Sequence, residues 1–136
     1  MGCGAWGSHH ARAIAKAGRL VAVAERSEES RAAAKAEHPG AAFYSDYREM
    51  LEKEDLEVVD IVLPPHLHYE AAKAALEAGC HLLLEKPMCL GIGECDELNA
   101  LARGKGLALA IGHEFRLSSL WGKVKAKVEE GAIGEP

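Results

Sequence analysis

Aromatic side chains, long apolar runs and signal-like segments are scarce or absent in this sequence of 136 residues. Phe, Trp and Tyr together make up 5% of the chain, so any core must be built from aliphatic side chains. No stretch approaches the ~20 continuous apolar residues of a membrane-spanning helix. No basic start followed by an apolar segment indicates a signal peptide. We therefore expect a globular domain with no membrane partner.

The sequence also lacks cysteine pairs. None of the four cysteines forms a C-x-x-C motif, and each lies in a different apparent element; they are Cys3, Cys80, Cys89 and Cys95. Dispersed thiols of this kind are usually reduced and partly buried. Because reduced thiols are typical of the cytosol, the pattern predicts a cytoplasmic protein.

Positive charge is in deficit as well, with 16 Lys and Arg against 21 Asp and Glu and a net charge of −5. Nucleic-acid binding through the phosphate backbone requires a positive surface, so we expect no nucleic-acid partner. A dinucleotide is not excluded, because backbone N–H groups at the start of a helix can hold its phosphates.

The chain does contain a regular alternation of short apolar runs and longer Ala-, Leu-, Glu- and Lys-rich stretches. We predict strands at 20–24, 41–44, 58–63, 81–84 and 107–111. We predict helices at 7–17, 28–37, 46–53, 67–78, 92–103 and 118–130. This alternation predicts an α/β fold with a Rossmann-like, doubly wound parallel sheet and helices on both faces, in one domain over residues 1–136.

A glycine-rich turn stands at the start of the chain, where Gly2-Cys3-Gly4-Ala5-Trp6-Gly7 reads G-x-G-x-x-G. In dinucleotide-binding folds the first glycine permits the tight turn and the second lets the backbone approach the pyrophosphate. The third lets the helix pack closely on the sheet. The motif alone is weak evidence. Here it opens an Ala-rich helix that is followed by a predicted strand, so we assign Gly2, Gly4 and Gly7 to cofactor binding.

An acidic residue follows at the distance that dinucleotide binding requires. Glu25 ends the next predicted strand, 18 residues after Gly7, close to the spacing of about 20 at which an acid meets the adenosine ribose hydroxyls. Arg26 comes next and can accept a 2′-phosphate or stack on adenine. Since Glu25 would repel that phosphate, the sequence favours NAD, with NADP as the open alternative.

The strand that should precede the glycine turn is almost absent, because the motif begins at residue 2. In the strand order 3-2-1-4-5-6 it is the central strand. Its absence leaves the two neighbouring strands with unpaired backbone groups. Three outcomes are open: another segment takes its place, the sequence is part of a longer chain, or the sheet is rearranged.

The third predicted strand is followed by Pro64-Pro65, which stiffen a loop at the edge where ligands of doubly wound sheets bind. His66 and His68 come next, at a spacing that a metal site can use. No carboxylate or thiol accompanies them at ligand spacing, so we predict no metal there. The same reasoning applies to His9 and His10 on the first helix.

A lysine ends the fourth predicted strand, in Glu85-Lys86-Pro87. At the mouth of a cofactor cleft, Lys86 can hold a substrate hydroxyl and stabilise alkoxide charge as hydride leaves. Glu85 can balance that charge or touch the nicotinamide ribose. Arg116, beyond the next strand, can contact cofactor or substrate, and a structural pairing with a carboxylate is an equal alternative.

With these residues in place, the sequence resembles the N-terminal domain of the glucose-fructose oxidoreductase, inositol dehydrogenase and MocA (Gfo/Idh/MocA) family. The segments that carry the resemblance are Gly2–Gly7, Val21–Arg26, Val59–His68, Ala78–His81, Leu84–Met88, Arg116 and Gly131–Pro136. They cover essentially the whole chain in the family's order, and the Glu-Lys-Pro element is the most specific of them.

The resemblance implies NAD(P)-dependent oxidation or reduction of a hydroxyl on a sugar, inositol or related polyol. Lys86 matches the family's catalytic lysine. The positions that match its cofactor-binding residues are Gly2, Gly4, Ala5, Trp6, Glu25, Arg26, Pro64, His68 and Glu85. The glycine motif adds Gly7 to the predicted cofactor-binding residues, and the strand edge adds Lys86 and Arg116. We also expect the protein to form a homo-oligomer.

Two features depart from the family's pattern. Family members have a full strand before the glycine turn. They also continue into a second domain, which supplies most of the substrate pocket and typically a histidine that transfers the proton. Neither feature is present in these 136 residues. The sequence therefore leaves open an alternative: a non-catalytic dinucleotide-binding or assembly module, or an interwoven oligomer, without turnover of its own.

Overall fold

The computed structural model of the protein describes residues 1–134 and confirms the alternating α/β architecture. The strands are Ala22–Ala24 (β1), Ala42–Tyr44 (β2), Val58–Ile61 (β3), His81–Leu84 (β4) and Leu109–Ile111 (β5). The α-helices are Ala5–Ala17 (α1), Glu28–Glu37 (α2), Tyr47–Lys53 (α3), His68–Glu77 (α4), Ile92–Lys105 (α5) and Ser119–Glu129 (α6). Single 3-10 turns lie at Pro65–Leu67 and Glu114–Leu117. Glu135 and Pro136, which end the last resemblance segment, lie outside the described residues.

The strands form two parallel sheets. β1 pairs with β2, and β4 lies between β3 and β5. Met1 and Gly2 join the two sheets, because the Gly2 N–H donates to the Ala24 carbonyl and the Val62 N–H donates to the Met1 carbonyl. The order across the molecule is therefore β2, β1, Met1–Gly2, β3, β4, β5. This is the Rossmann strand order, with Met1 and Gly2 in the place of the central strand. The strands are therefore not rearranged.

A cavity of about 810 Å³ separates the sheets beyond Met1, on the side away from the strands' carboxyl ends. Ile14 of α1, Val23 of β1 and Val59 of β3 are among the mainly apolar side chains that line it. Gly2, Cys3 and Gly7 of the glycine turn also line this cavity, so it reaches the inner side of the turn, whereas ligands of doubly wound sheets bind at the carboxyl ends.

The two sheets have cores of different size. The core around β3, β4, α4 and α5 includes the fully buried side chains of Ile61, Leu76, Leu84 and Leu98. The core beside β1 and β2 consists of Cys3, Ala11, Val23 and Ala34. Helical spacing explains how α4 contributes to the larger core, since its buried residues all lie on one face; they are His68, Ala71, Ala72, Ala75 and Leu76.

Local signals set the ends of several elements. The Ser27 hydroxyl accepts the Ser30 N–H at the start of α2, and the Asp46 carboxylate accepts the Arg48 N–H at the start of α3. Gly106 ends α5 with a φ of +67°. β3 ends before the predicted residue 63, because Pro64 and Pro65 have no N–H to extend a ladder. Within residues 1–134, no helix combines the length and apolar composition needed to cross a bilayer.

Candidate functional site

The glycine turn lies at the carboxyl ends of the strands, where two of its glycines are required by close packing. Gly2 has a φ of +81°, and a Cβ there would lie 2.3 Å from the Val62 carbonyl oxygen. A Cβ at Gly7 would lie 2.2 Å from the Gly2 carbonyl oxygen. Each distance is far below van der Waals contact, so neither position accepts a side chain.

Gly4 differs from both, because a Cβ there would meet no protein atom within 4 Å. Its φ of −68° and ψ of −160° are open to any residue. The fold itself therefore does not require glycine at this position. In a dinucleotide-binding turn this is the position at which the backbone approaches the pyrophosphate, and the open space around Gly4 permits that approach.

The first turn of α1 follows Gly4 directly and suits an anion. Ala5 and Trp6 are exposed there, and no side chain caps the first N–H groups of this 13-residue helix. The first turn contains no acidic residue. Unpaired N–H groups and the positive end of the helix dipole together favour a phosphate at this point.

Glu25 lies beside the turn at the end of β1. Its Oε2 accepts the Cys3 N–H at 2.7 Å, and its Oε1 accepts the Ser27 N–H at 2.8 Å. A carboxylate has about four acceptor positions, so these bonds leave capacity for a ribose hydroxyl. Arg26 is exposed next to it and makes no side-chain hydrogen bond within residues 1–134. The acid and the base predicted from the sequence therefore share one end of the site.

Glu85 is a buried carboxylate at the end of β4, with 8% of its surface exposed. Its Oε1 accepts the indole N–H of Trp6 at 3.2 Å and lies 3.4 Å from His10 Nε2. Its Oε2 accepts the Lys86 N–H at 3.1 Å. A Cβ on Gly112 would lie 2.9 Å from Oε1, so the glycine after β5 makes room for this carboxylate.

The Lys86 ammonium lies between two carboxylates at the open edge. Its Nζ is 3.9 Å from Glu85 Oε2 and 3.6 Å from Glu114 Oε1, and 46% of its side chain is exposed. Glu114 belongs to the 3-10 turn after β5, and the sequence analysis did not single it out. Arg116 of the same turn is exposed and makes no side-chain hydrogen bond or ion pair within residues 1–134.

The His68 side chain lies beneath the loops that follow β3 and β4. Its imidazole is fully buried, with Nδ1 2.7 Å from the Pro87 carbonyl oxygen and Nε2 2.7 Å from the Leu63 carbonyl oxygen. These two contacts link the loop after β3 to the loop after β4, and a contact of His68 with the cofactor stays a prediction. Pro64, next to Leu63, is exposed at the site's edge.

Sequence reasoning did not predict that His10 and Asp60 would lie in contact beside the site. His10 Nδ1 lies 2.9 Å from Asp60 Oδ2, and Asp60 Oδ1 is buried without a partner within residues 1–134. Two signals were available: His10 is one helical turn after Trp6, and Asp60 is a lone charge inside the apolar run of β3. Residues 1–134 contain no cluster of three or more His, Cys, Asp or Glu side chains that could hold a metal ion.

Comparisons with known proteins agree with this geometry. Residues 1–113 match a family described as an oxidoreductase family with an NAD-binding Rossmann fold. A dTDP-3,4-didehydro-2,6-dideoxy-alpha-D-glucose 3-reductase from Streptomyces violaceoruber is 41% identical over 115 residues, which cover 85% of this chain and 33% of that protein.

Two solved structures show the same fold. The myo-inositol 2-dehydrogenase of Lactobacillus plantarum superposes with a TM-score of 0.87 at 28% identity. A scyllo-inositol dehydrogenase of Lactobacillus casei, solved with NAD(H) and scyllo-inositol, superposes with the same TM-score and identity. Each match covers 98% of this chain and 40% of the other. The chain spans between about a quarter and a third of the length of the curated relatives that it matches.

Proposed function

The chain belongs to the Gfo/Idh/MocA oxidoreductase family, and we propose that its site binds NAD for hydride transfer to or from a hydroxyl-bearing carbon of a sugar, inositol or related polyol. Gly4 is the observation that carries this proposal. It is the one glycine of the turn that packing does not require, and it stands before a helix start without an acidic residue. That combination fits the close approach of a pyrophosphate.

In this proposal, different residues contact different parts of the cofactor. The N–H groups of Gly4, Ala5 and Trp6 hold the pyrophosphate. Glu25 accepts the hydroxyls of the adenosine ribose, and Pro64 with Glu85 borders the nicotinamide half. Free acceptor positions on Glu25 and its negative charge favour NAD over NADP, while the exposed Arg26 keeps NADP as the alternative.

Lys86 is the residue we assign to catalysis. When bound, NAD supplies the acceptor or donor of the hydride. The ammonium of Lys86 is partly exposed and held between Glu85 and Glu114, so it can donate to the substrate oxygen and stabilise negative charge there. The proton acceptor is not among the residues assigned here.

The choice of a sugar or polyol rests on the relatives rather than on a pocket in this chain. The similar proteins include a reductase of a nucleotide-linked deoxysugar and two inositol dehydrogenases. Their substrates share a ring carbon that bears a hydroxyl or a ketone. A homo-oligomer remains a prediction, which sedimentation equilibrium of the 136-residue chain can test.

Calorimetric titration of the chain with NAD, NADH and NADP tests the proposed function. We expect saturable binding of NAD and NADH, weaker binding of NADP, and a loss of at least about tenfold in NAD affinity for Gly4→Val. Gly40→Val is the matched control, because a Cβ on Gly40 also meets no protein atom within 4 Å, and this variant should bind like the parent. Failure of all three nucleotides to bind, or parental affinity in Gly4→Val, would overturn the proposal.

A further inference from the structure

One face of α1 lies against the ends of β3 and β4 and presents two polar side chains to them. Trp6 and His10 are four residues apart and therefore share that face. The Trp6 indole donates to Glu85 Oε1 at 3.2 Å. The His10 ring lies between two acids, with Nδ1 2.9 Å from Asp60 Oδ2 and Nε2 3.4 Å from Glu85 Oε1.

The two acids enclose the His10 ring. The side chains of Asp60 and Glu85 are each 10% exposed, and a carboxylate only accepts hydrogen bonds. An N–H at Nδ1 of His10 can therefore donate to Asp60 Oδ2, which fixes the plane of the ring and places its other nitrogen beside Glu85 Oε1.

The contact bears on Lys86 through Glu85. Trp6 and His10 hold Oε1 on the helix side, which leaves Oε2 facing the Lys86 N–H at 3.1 Å and the Lys86 Nζ at 3.9 Å. If Glu85 rotated away, Glu114 Oε1, at 3.6 Å, would be the remaining carboxylate beside the ammonium.

We infer that His10 is a positioning residue of the nicotinamide end: with Asp60 behind it, its ring fixes the Glu85 carboxylate and so sets where the Lys86 ammonium lies. The helix that begins at the phosphate-binding turn thereby carries, one turn further on, the group that orients the catalytic lysine. The catalytic meaning of this arrangement rests on the proposed function. The arrangement itself can be tested without cofactor.

The chain contains its own probes of this arrangement. The indole N–H of Trp6 exchanges with solvent at a rate that reports its bond to Glu85, and the Cε resonance of Lys86 reports the charge around its ammonium. Trp121 supplies an internal reference indole. His9 is a matched control, because its ring centroid also lies 5.7 Å from that of Trp6, the same distance as His10, and it contacts no carboxylate within residues 1–134.

The experiment is NMR of the cofactor-free 136-residue chain and its variants. His10→Leu should accelerate exchange of the Trp6 indole N–H by about tenfold, the effect expected for loss of a hydrogen bond to a charged acceptor. It should also shift the Lys86 Cε resonance in the same direction as Glu85→Gln does. His9→Leu should change neither the indole exchange nor the Lys86 resonance.

A second variant covers the case in which His10→Leu fails to fold. His10→Gln keeps an N–H donor but not the aromatic ring, so both readouts should change by an intermediate amount. Parental readouts in His10→Leu or in His10→Gln, or equal changes in His9→Leu, would overturn the inference. Because no nucleotide is present, a failure to bind NAD would refute the proposed function and leave this result unaffected.

Discussion

The two sheets contribute to one site from cores of unequal size. The three-stranded sheet carries Glu85 and Lys86 above a core that includes Ile61, Leu76 and Leu84, all without exposed surface. The two-stranded sheet carries Glu25 beside a small core of Cys3, Ala11, Val23 and Ala34.

The difference indicates that the two-stranded sheet, with Glu25 and the glycine turn, is held in place by hydrogen bonds more than by its own core. We call this part the smaller half of the molecule and the three-stranded sheet with its helices the larger half. Three backbone N–H groups make these hydrogen bonds. The Gly2 N–H donates to the Ala24 carbonyl, the Cys3 N–H to the Glu25 carboxylate, and the Val62 N–H to the Met1 carbonyl. Fewer buried apolar contacts mean a lower free energy of local opening. We therefore expect the two halves to respond differently to substitution, labelling and ligand.

The largest effect is expected where the two halves meet. Gly7→Val places a Cβ 2.2 Å from the Gly2 carbonyl oxygen, a backbone atom of the turn that joins the sheets. We expect this variant to lose its cooperative thermal transition, while Gly4→Val keeps it. A native-like transition in Gly7→Val, measured by circular dichroism, would contradict the packing described for α1.

Two side-chain truncations compare how much each core contributes to the free energy of unfolding. Leu76→Ala, in the fully buried face of α4, should lower the free energy of unfolding by about 2–5 kcal/mol. Val23→Ala, beside the cavity between the sheets, should lower it by about 1–2 kcal/mol. Urea denaturation of both variants gives the comparison, and a larger loss in Val23→Ala would reverse our assignment of the two cores.

Glu25→Gln tests how the two-stranded sheet contributes to binding. The variant loses the charge that we propose meets the ribose hydroxyls, and it weakens the bonds to Cys3 and Ser27. We expect NAD affinity to fall by about tenfold and NADP affinity to fall less. Glu29→Gln, an exposed acid on α2, is the matched control for charge. Equal losses for the two nucleotides would show that Glu25 does not select between them.

A small effect is expected when the labelling rates of Cys3 and Cys80 are compared. Burial raises the pKa of Cys3 and of Cys80, and these residues are 6% and 3% exposed. We expect Cys3 to react faster, because its half of the molecule opens more easily. Labelling at pH 8 followed by mass spectrometry gives the two rates, and faster reaction of Cys80 would contradict the comparison.

The labelling rate of Cys89, in the larger half of the molecule, is expected to depend steeply on pH. Burial, followed by the neighbouring Cys95, raises the pKa of Cys89 to about 12. Since the thiolate is the reactive form, labelling of Cys89 should rise about tenfold per pH unit between pH 7 and 9. A plateau in this range would show that the thiol ionises at a lower pH than its surroundings indicate.

Sequence patterns predicted the alternation of elements, the glycine turn and the strand-end residues, because each of these depends on local spacing. The patterns predicted that β1 and β3 lack a full central partner, but not that Met1 and Gly2 would bond to both neighbours, since that pairing is a long-range property. Glu85 was expected at the edge, but its burial against α1 depends on Trp6, His10 and Gly112, which are far from it in sequence. The burial of His68 between the Leu63 and Pro87 carbonyls likewise depends on segments that lie apart in sequence.

The central claim is that one dinucleotide spans both halves, and amide hydrogen exchange with and without NAD tests it most directly. We predict slower exchange on NAD binding in the turn at residues 2–7, near Glu25, and around Lys86, so that both sheets gain protection. Protection confined to one sheet, or no change at saturating NAD, would contradict a site built jointly by the two halves.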